Sequence, residues 1–252
     1  MTLLETRALS VTFGGLRAVH EVDLDIAAGR IVGLIGPNGA GKTTLIDGLT
    51  GFVPVSGQIR FDGRNVEGLT AHRRARAGLG RTWQSVELFD DLTVEDNVRV
   101  AAERQSVGGF LADLVRPARR HHGDVGHALD ELGIADLAGR MPSELSAGQR
   151  KLVSAARAVA GRPRLLCMDE PAAGLDSAES AELAARLRSI RDAGVTVLLV
   201  DHDMGLVLDV CDYVYVIDFG VKIAEGTPRQ ITGSQRVIES YLGRDGAEQG
   251  QL

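Results

Sequence analysis

The chain has 252 residues, of which 44% are hydrophobic and 25% charged, and a formal net charge of −6 at pH 7. This composition is typical of a globular protein with a substantial core. The acidic balance argues against nucleic acid as a partner, because phosphate backbones are usually bound by a basic surface. The two cysteines, Cys167 and Cys211, form neither a CxxC pair nor a metal-ligand spacing, which favours a reducing compartment.

The first part of the chain predicts an antiparallel sheet. Residues 3–26 and 58–61 have strand-like composition, with turn sequences at residues 13–15 and 61–63. Glu5 and Arg7 interrupt the apolar stretch that a signal peptide requires, and no aliphatic run is long enough to cross a bilayer. We therefore expect any membrane association to depend on a partner.

Three short apolar runs, residues 31–35, 165–168 and 195–200, lack the alternation of a half-exposed strand. Such runs predict strands covered on both faces, as in the parallel sheet of an α/β core. Apolar residues at helical spacing follow Ser146 and Asp176, which predicts a helix after each of them.

A glycine-rich loop follows the first buried run and opens a helix. Backbone N–H groups of such a loop, together with the helix N-terminus, surround a polyphosphate with fixed donors. Lys42 supplies a charge for the β- and γ-phosphates, and Thr43 supplies a hydroxyl for Mg²⁺. The predicted nucleotide-binding residues are Gly36, Pro37, Asn38, Gly39, Ala40, Gly41, Lys42, Thr43 and Thr44.

The middle of the chain predicts a helical lobe over residues 85–161. Within it, residues 105–123 contain glycines, a proline and a basic cluster, which favours a loop-rich insertion with a solvated basic face. Near its start, Trp83, Leu88 and Phe89 offer either an apolar docking patch or ordinary core.

The sequence Leu145-Ser146-Ala147-Gly148-Gln149 has two interpretations. Ser146 with Gln149 three residues later is a capping box that starts a helix. The same helix N-terminus, with the Ser146 hydroxyl and the Gly148 N–H, is also suited to bind a γ-phosphate. Both interpretations can hold together.

Two carboxylates, Asp169 and Glu170, end the second apolar run. Burying carboxylates is costly unless a metal or a reaction uses them. Asp169 is placed to hold Mg²⁺, and Glu170 to polarise the attacking water. An acidic pair that merely starts a loop is the alternative, and the nearby phosphate loop argues against it.

Together these motifs resemble the nucleotide-binding subunits of ATP-binding cassette (ABC) transporters. The resemblance covers nearly the whole chain and keeps the family's order, namely the phosphate loop, Gln84, the signature at Leu145, Asp169, Asp176 and His202. It implies an α/β fold, a P-loop NTPase core of the RecA-like type with an N-terminal antiparallel β-subdomain and an inserted α-helical signature subdomain. The implied boundaries are residues 1–84 and 162–243 for the core with its β-subdomain, 85–161 for the helical subdomain and 244–252 for a flexible tail.

The resemblance also implies roles for residues that the chemistry alone leaves open. Phe13 would stack on adenine, Gln84 would sense Mg²⁺ and the attacking water, Asp176 would link two sites, and His202 would contact the γ-phosphate. Ordinary packing for Phe13 and a surface hydrogen bond for His202 are the alternatives. Because Glu170 and His202 are both present, we expect an active ATPase.

Finer similarity extends to the ATPases of branched-chain amino-acid and urea or amide importers. It rests on the segments at residues 13–19, 81–84, 105–123, 203–204 and 241–243. The family resemblance implies a head-to-tail dimer, with a second copy or a second ABC ATPase. The finer similarity implies two membrane permeases and an extracytoplasmic solute-binding protein. The subunit would lie peripherally on the cytoplasmic face of the cell membrane, without nucleic acid. A lipid-exporter ABC ATPase and a soluble iron–sulfur assembly ATPase are the alternatives.

Overall fold

The structure is a computed structural model that describes residues 1–83, 87–102, 122–235, 237 and 239–240. Two 3₁₀ turns, Ala135–Leu137 and Pro142–Glu144, lie between the fourth and fifth helices. The strands and α-helices are, in chain order, β1 (Thr2–Phe13), β2 (Leu16–Ala27), β3 (Ile31–Ile35), α1 (Lys42–Thr50), β4 (Ser56–Phe61), β5 (Arg64–Asn65), α2 (Ala71–Ala77), β6 (Leu79–Arg81), α3 (Val94–Ala102), α4 (His122–Glu131), α5 (Ala147–Ala160), β7 (Leu165–Asp169), α6 (Ser177–Asp192), β8 (Thr196–Val200), α7 (Met204–Val210), β9 (Tyr213–Asp218), β10 (Val221–Gly226) and α8 (Pro228–Thr232).

The N-terminal strands form the predicted antiparallel sheet, in the order β2-β1-β4-β5. Gly14 and Gly15 form the turn between β1 and β2, both with positive φ, and the adjacent Phe13 and Leu16 pair across the hairpin. Glycine takes this backbone conformation without the steric cost that a side chain brings. The turn sequence therefore predicts the hairpin correctly.

The second sheet has six strands in the order β10-β9-β3-β8-β7-β6. All its pairings are parallel except that of β10 with β9. The three apolar runs become the neighbouring strands β3, β8 and β7, and every residue of these strands is buried. This confirms the predicted parallel sheet. Strands β6, β9 and β10 were not predicted from the sequence.

The parallel sheet separates two clusters of buried side chains, because successive residues of a strand point to opposite faces. Leu34, Cys167 and Leu198 belong to the cluster that includes α1 and the antiparallel sheet. Ile35, Met168 and Leu199 belong to the cluster that includes α6, α7 and the helical region. Helix α1 is therefore held against the sheet by its own apolar residues, which fixes the phosphate loop that precedes it.

The described part of the middle segment is mainly helical, as predicted, and α3, α4 and α5 contact one another. Most of the predicted insertion at residues 105–123 lies outside the described residues. Its last two residues belong to α4, which begins at His122, so the predicted loop boundary extends into the helix. Among the described helices, none has the length and apolar character needed to cross a bilayer.

Candidate nucleotide-binding site

The phosphate loop joins β3 to α1 at the carboxyl edge of the parallel sheet. The buried Lys42 Nζ donates hydrogen bonds to the carbonyls of Gly36, at 2.7 Å, and Pro37, at 3.0 Å. The loop therefore holds the ammonium group within its own curve. It borders a cavity of about 430 Å³ lined by Leu16, Arg17, Ala18, Asn38, Gly39, Ala40, Gly41, Lys42, Thr43, Thr44, Glu170 and Phe219.

The loop depends on glycine where its backbone passes another strand. Gly41 has φ +98°, and a Cβ there would lie 2.5 Å from the carbonyl oxygen of Ala18. Gly39 also has a positive φ, +77°, but no atom of the described residues lies within 4 Å of the position a Cβ would take. Position 41 therefore needs glycine for two reasons, namely its left-handed backbone conformation and the lack of space for a Cβ.

The rim of this cavity contains an aromatic residue that the sequence analysis missed. Phe219, in the turn between β9 and β10, lines the cavity and has φ +45°. Phe13 is 47% exposed at the end of β1 and does not line the cavity, although its cross-strand partner Leu16 does. The stacking role of Phe13 stays a prediction.

Asp169, at the end of β7, contacts the start of α1. Its Oδ1 accepts a hydrogen bond from Thr43 Oγ1 at 3.4 Å. Burial raises the pKa of Asp169, while the charge of Arg81 and the Thr43 hydrogen bond oppose that rise. A carboxylate and a hydroxyl beside a phosphate loop fit Mg²⁺, which prefers oxygen ligands and takes one or two carboxylates together with substrate phosphates.

Glu170 follows Asp169 and lines the phosphate-loop cavity. Its φ of +48° is unusual for a residue with a side chain, and its backbone N–H donates to the Val200 carbonyl at 2.7 Å. His202, after β8, is 56% exposed, with Nδ1 3.9 Å from Glu170 Oε2. The fold thus brings the two predicted catalytic side chains together from separate strands.

Asp201 orders both catalytic loops, which its sequence position alone did not indicate. It is fully buried, and its Oδ2 accepts from the Ala172 N–H at 2.9 Å. Its Oδ1 accepts from the Asp203 N–H, also at 2.9 Å. One carboxylate therefore ties the segment after Glu170 to the segment after His202.

The signature segment, residues 145–149, leads into the N-terminus of α5 and lines a cavity separate from that of the phosphate loop. Ser146 Oγ accepts from the Gln149 N–H at 3.2 Å, and Gln149 Oε1 accepts from the Ser146 N–H at 3.0 Å, which confirms the capping box. Ser146, Gly148 and Gln149 border a cavity of about 240 Å³ whose lining shares no residue with the phosphate-loop cavity. Within one chain, the two predicted phosphate-binding elements therefore line different sites.

Glu179 connects the signature segment to Asp176. A Cβ at Gly148 would lie 2.7 Å from Glu179 Oε1, so a larger residue there would displace this carboxylate. Asp176 caps α6, accepting from the backbone N–H groups of Ala178 and Glu179 at 2.8 Å, and its own N–H donates to Glu179 Oε2 at 3.2 Å. The sequence points to Gly148 and Asp176 but not to this link through Glu179.

Lys151 on α5 is a second residue that the sequence analysis missed. It borders the cavity at the signature and also the small pocket beside Asp169 and Glu170. Its Nζ donates to the Ala173 carbonyl. Burial lowers the pKa of Lys151, and nearby carboxylates, including that of Glu170, oppose this. The signature helix therefore contributes a cation next to the acidic strand end.

Gln84 lies outside the described residues, but the surface before it is described. Trp83 and Phe89 are exposed, whereas Leu88 is buried and belongs to the core, so the predicted docking patch loses its leucine. Trp83 borders a groove of about 490 Å³ that α5 also lines, through Arg157 and neighbouring residues.

Comparison with known proteins gives a consistent result. Residues 19–173 match the family described as ABC transporter, and residues 221–247 match the one described as branched-chain amino acid ATP-binding cassette transporter. The chain is 43% identical over 249 residues to the high-affinity branched-chain amino acid transport ATP-binding protein BraF of Pseudomonas aeruginosa. It is 40% identical over 249 residues to LivG of Salmonella typhimurium, which carries the same description. Each match covers 96% of this chain and 98% of the relative.

More distant similarity includes the lipopolysaccharide export system ATP-binding protein LptB of Haemophilus influenzae, 34% identical over 96% of this chain and 98% of the relative. Among solved structures, a nucleotide-free ATP-binding cassette from an ABC transporter superposes with a TM-score of 0.85 at 28% identity, covering 96% of this chain and 99% of the other. A dimeric cassette bound to ADP and phosphate superposes with a TM-score of 0.74 at 22% identity, covering 90% and 99%, and shows the fold alone.

Proposed function

Since the chain belongs to the ABC transporter family and is an ATPase of that family, we propose that its ATP hydrolysis energises the import of branched-chain amino acids or closely related solutes. The observation that carries the choice of solute is near full-length identity of 43% and 40% to two branched-chain amino acid transport ATPases. The match of residues 221–247 to a branched-chain amino acid transporter family supports it independently of the catalytic motifs.

The phosphate-loop cavity is the proposed ATP site. Lys42 would neutralise the β- and γ-phosphates, and the loop N–H groups would hold them, since a helix N-terminus favours anions. Thr43 and Asp169 would hold Mg²⁺, which when bound neutralises charge developing on the phosphate oxygens. Phe13 is the proposed adenine contact, with Phe219 on the cavity rim as a neighbouring aromatic.

Glu170 is the proposed base that orients and polarises the attacking water, because it lines the same cavity as the phosphate loop. His202, 3.9 Å from Glu170, would contact the γ-phosphate. Gln84 would complete the arrangement by sensing Mg²⁺ and water. The backbone of Glu170 is held in an uncommon conformation by the neighbouring strand β8, which keeps its carboxylate at the cavity.

The working unit is proposed to be a head-to-tail dimer. Ser146, Gly148 and Gln149 line a cavity separate from the phosphate loop, so they would act on the nucleotide of a partner. ATP binding would favour the closed pair, and hydrolysis would reopen it. Asp176, joined to the signature through Glu179, would link the two nucleotide sites. The partner is either a second copy or a different ABC ATPase.

The groove beside Trp83 is the proposed docking place for a helix of each of two membrane permeases, because this exposed aromatic side chain borders it. The subunit would then lie peripherally on the cytoplasmic face of the membrane, with a solute-binding protein on the opposite side. The comparisons do not favour the lipid-exporter alternative, whose relative is less similar, or the iron–sulfur assembly alternative.

The decisive test uses the Glu170→Gln variant. We expect it to bind ATP normally but to lose turnover by about 100-fold or more, the scale of general-base catalysis. Glu225→Gln, at an exposed position of β10, is the matched control and should keep its activity. Tagged Glu170→Gln protein, extracted from native membranes with Mg-ATP, should retain two polytopic permeases and a second cassette ATPase. Unchanged turnover would refute the role of Glu170, and recovery of scaffold proteins alone would refute transport.

A further inference from the structure

Arg81, the last residue of β6, places one guanidinium between two elements of the ATP site. Its side chain is only 6% exposed, and it forms ion pairs with Asp47 and with Asp169. Asp47 lies on α1, the helix that begins with Lys42 and Thr43. The distance from Arg81 Nη2 to Asp169 Oδ2 is 3.5 Å. A single rigid group therefore joins the phosphate-loop helix to the strand that ends in Asp169.

The same guanidinium also contacts two exposed aromatic side chains. Its central carbon lies 4.2 Å from the ring centroid of Trp83 and 5.7 Å from that of Phe52. The two rings form an edge-to-face pair with their centroids 4.8 Å apart, and the two side chains are 50% and 53% exposed. Cation–π attraction to Arg81 and the edge-to-face contact between the two rings hold these three side chains together. We call Phe52 and Trp83 the aromatic pair.

The contacts of Arg81 divide the oxygens of Asp169 between two partners. Oδ2 faces Arg81, whereas Oδ1 accepts the hydrogen bond from Thr43. Two partners on opposite oxygens fix the rotation of the carboxylate. A guanidinium suits this role because its planar fork presents several donors in fixed directions, which a lysine ammonium does not.

Packing alone does not account for an arginine at this position. Its Nε is buried and has no hydrogen-bond acceptor among the described residues. An unsatisfied buried donor is unfavourable for stability. The arginine is therefore best explained by its terminal nitrogens, which reach both carboxylates, and by its flat face on the aromatic pair.

We infer that Arg81 is a positioning residue that holds the carboxylate of Asp169 for Mg²⁺ and couples this carboxylate to the exposed aromatic pair. The inference rests on the proposed role of Asp169 in holding Mg²⁺. When Mg²⁺ and nucleotide engage Asp169, the guanidinium shifts with the carboxylate, and the environment of Trp83 changes. The signal runs equally from the surface to the site, since coupling between two sites is reciprocal.

Trp83 is the only tryptophan of the chain, so its fluorescence reports on this cluster without labelling. The experiment titrates Mg²⁺ into the isolated subunit with saturating ADP and follows tryptophan emission. Wild-type protein should show a Mg²⁺-dependent change in emission. Arg81→Lys and Arg81→Met should lose that change. In a second titration, with radiolabelled ADP below saturation, both variants should need about 10- to 100-fold more Mg²⁺ than wild type for half-maximal ADP binding, the usual effect of losing a partner of a metal ligand. This Mg²⁺ concentration is the Mg²⁺ midpoint.

Arg188→Met is the matched control, because Arg188 forms an ion pair with Asp209 away from the phosphate-loop cavity. It should behave as wild type. Arg81→Lys keeps the positive charge, so it provides a folded comparison if Arg81→Met unfolds, which circular dichroism would reveal. No emission change in the wild-type protein, or an unchanged Mg²⁺ midpoint and emission change in a folded Arg81 variant, would overturn the inference.

Asp169→Asn in the radiolabelled-ADP titration separates this inference from the proposed function. If Asp169→Asn raises the Mg²⁺ midpoint while the Arg81 variants leave it unchanged, only the role of Arg81 is wrong. If Asp169→Asn leaves the midpoint unchanged, the proposed metal-binding role of Asp169 is wrong, and the inference about Arg81 fails with it.

Discussion

At the scale of single residues, the phosphate loop shows two different reasons for a glycine. Gly39 and Gly41 both have left-handed backbone conformations, but only at Gly41 does a neighbouring backbone carbonyl, that of Ala18, occupy the space of a Cβ. Within the part of the chain that the structure describes, a side chain at Gly39 meets backbone strain alone. At Gly41 it also meets an atom that cannot move without shifting β2.

The pair Gly39→Ala and Gly41→Ala tests this distinction. We expect Gly39→Ala to lower the free energy of unfolding by about 1 kcal/mol, the usual cost of a left-handed alanine. Gly41→Ala should lower it by roughly 3 kcal/mol or more, because the clash adds to the strain. Denaturant unfolding of the nucleotide-free variants measures both values. Equal losses would show that the loop relaxes around position 41.

At the scale of elements, the N-terminus of α5 combines an observed helix cap with a proposed phosphate-binding role. The hydroxyl of Ser146 accepts from the Gln149 N–H, so it stabilises the helix whether or not a phosphate is present. Ser146 is nevertheless exposed, and it lines a cavity at the helix N-terminus. Stability and turnover can therefore be separated by substitutions that keep the cap but change its charge.

Substitutions of Ser146 provide this separation. Ser146→Ala should lose about 1 kcal/mol of stability, whereas Ser146→Asn and Ser146→Asp should stay near wild type, because all three polar residues cap helices well. Ser146→Asp should nonetheless lose ATP turnover, since its carboxylate repels the partner's γ-phosphate. Thermal unfolding and ATPase rates check the two expectations. Full turnover in Ser146→Asp would leave Ser146 with the capping role alone.

At the scale of the whole molecule, the two cysteines report on the two sides of the core. Cys167 lies in the cluster facing α1, and Cys211 lies in the cluster facing the helical region. Burial raises the pKa of both thiols to about 12 from an ordinary value of 9.0. In the unfolded chain the thiols ionise near their ordinary pKa. As pH rises, the unfolded chain therefore loses its thiol protons at a lower pH than the folded chain does.

The free energy of unfolding should therefore fall as pH rises from about 9 toward 12. Cys211→Ala should show a shallower fall than wild type, because one of the two ionising thiols is removed. Urea unfolding at several pH values between 8 and 10 measures the difference. Native protein at pH 8 should also resist thiol reagents that label the unfolded chain. Parallel pH profiles for the variant and wild type would contradict this account.

The sequence by itself determined the elements whose signals are local. The run of residues 31–35, the glycine-rich loop after it and the capping box at Ser146 each carry their pattern within a few residues. These patterns correctly predicted the buried strands, the helix after the loop and the α/β class. They also predicted functional roles for Lys42, Thr43 and Asp169 from their chemistry, and these roles stay predictions.

Only the tertiary structure decided which distant residues meet. Strand β6 has three residues and no distinctive pattern, yet its place beside β7 brings Arg81 to Asp169. Phe219 reaches the phosphate-loop cavity through a hairpin that the sequence analysis did not identify. Asp201 supports two loops because β8 lies next to β7. The physical reason is that sequence periodicity records which face of an element is buried, whereas the neighbours of that element depend on the order of strands in the sheet.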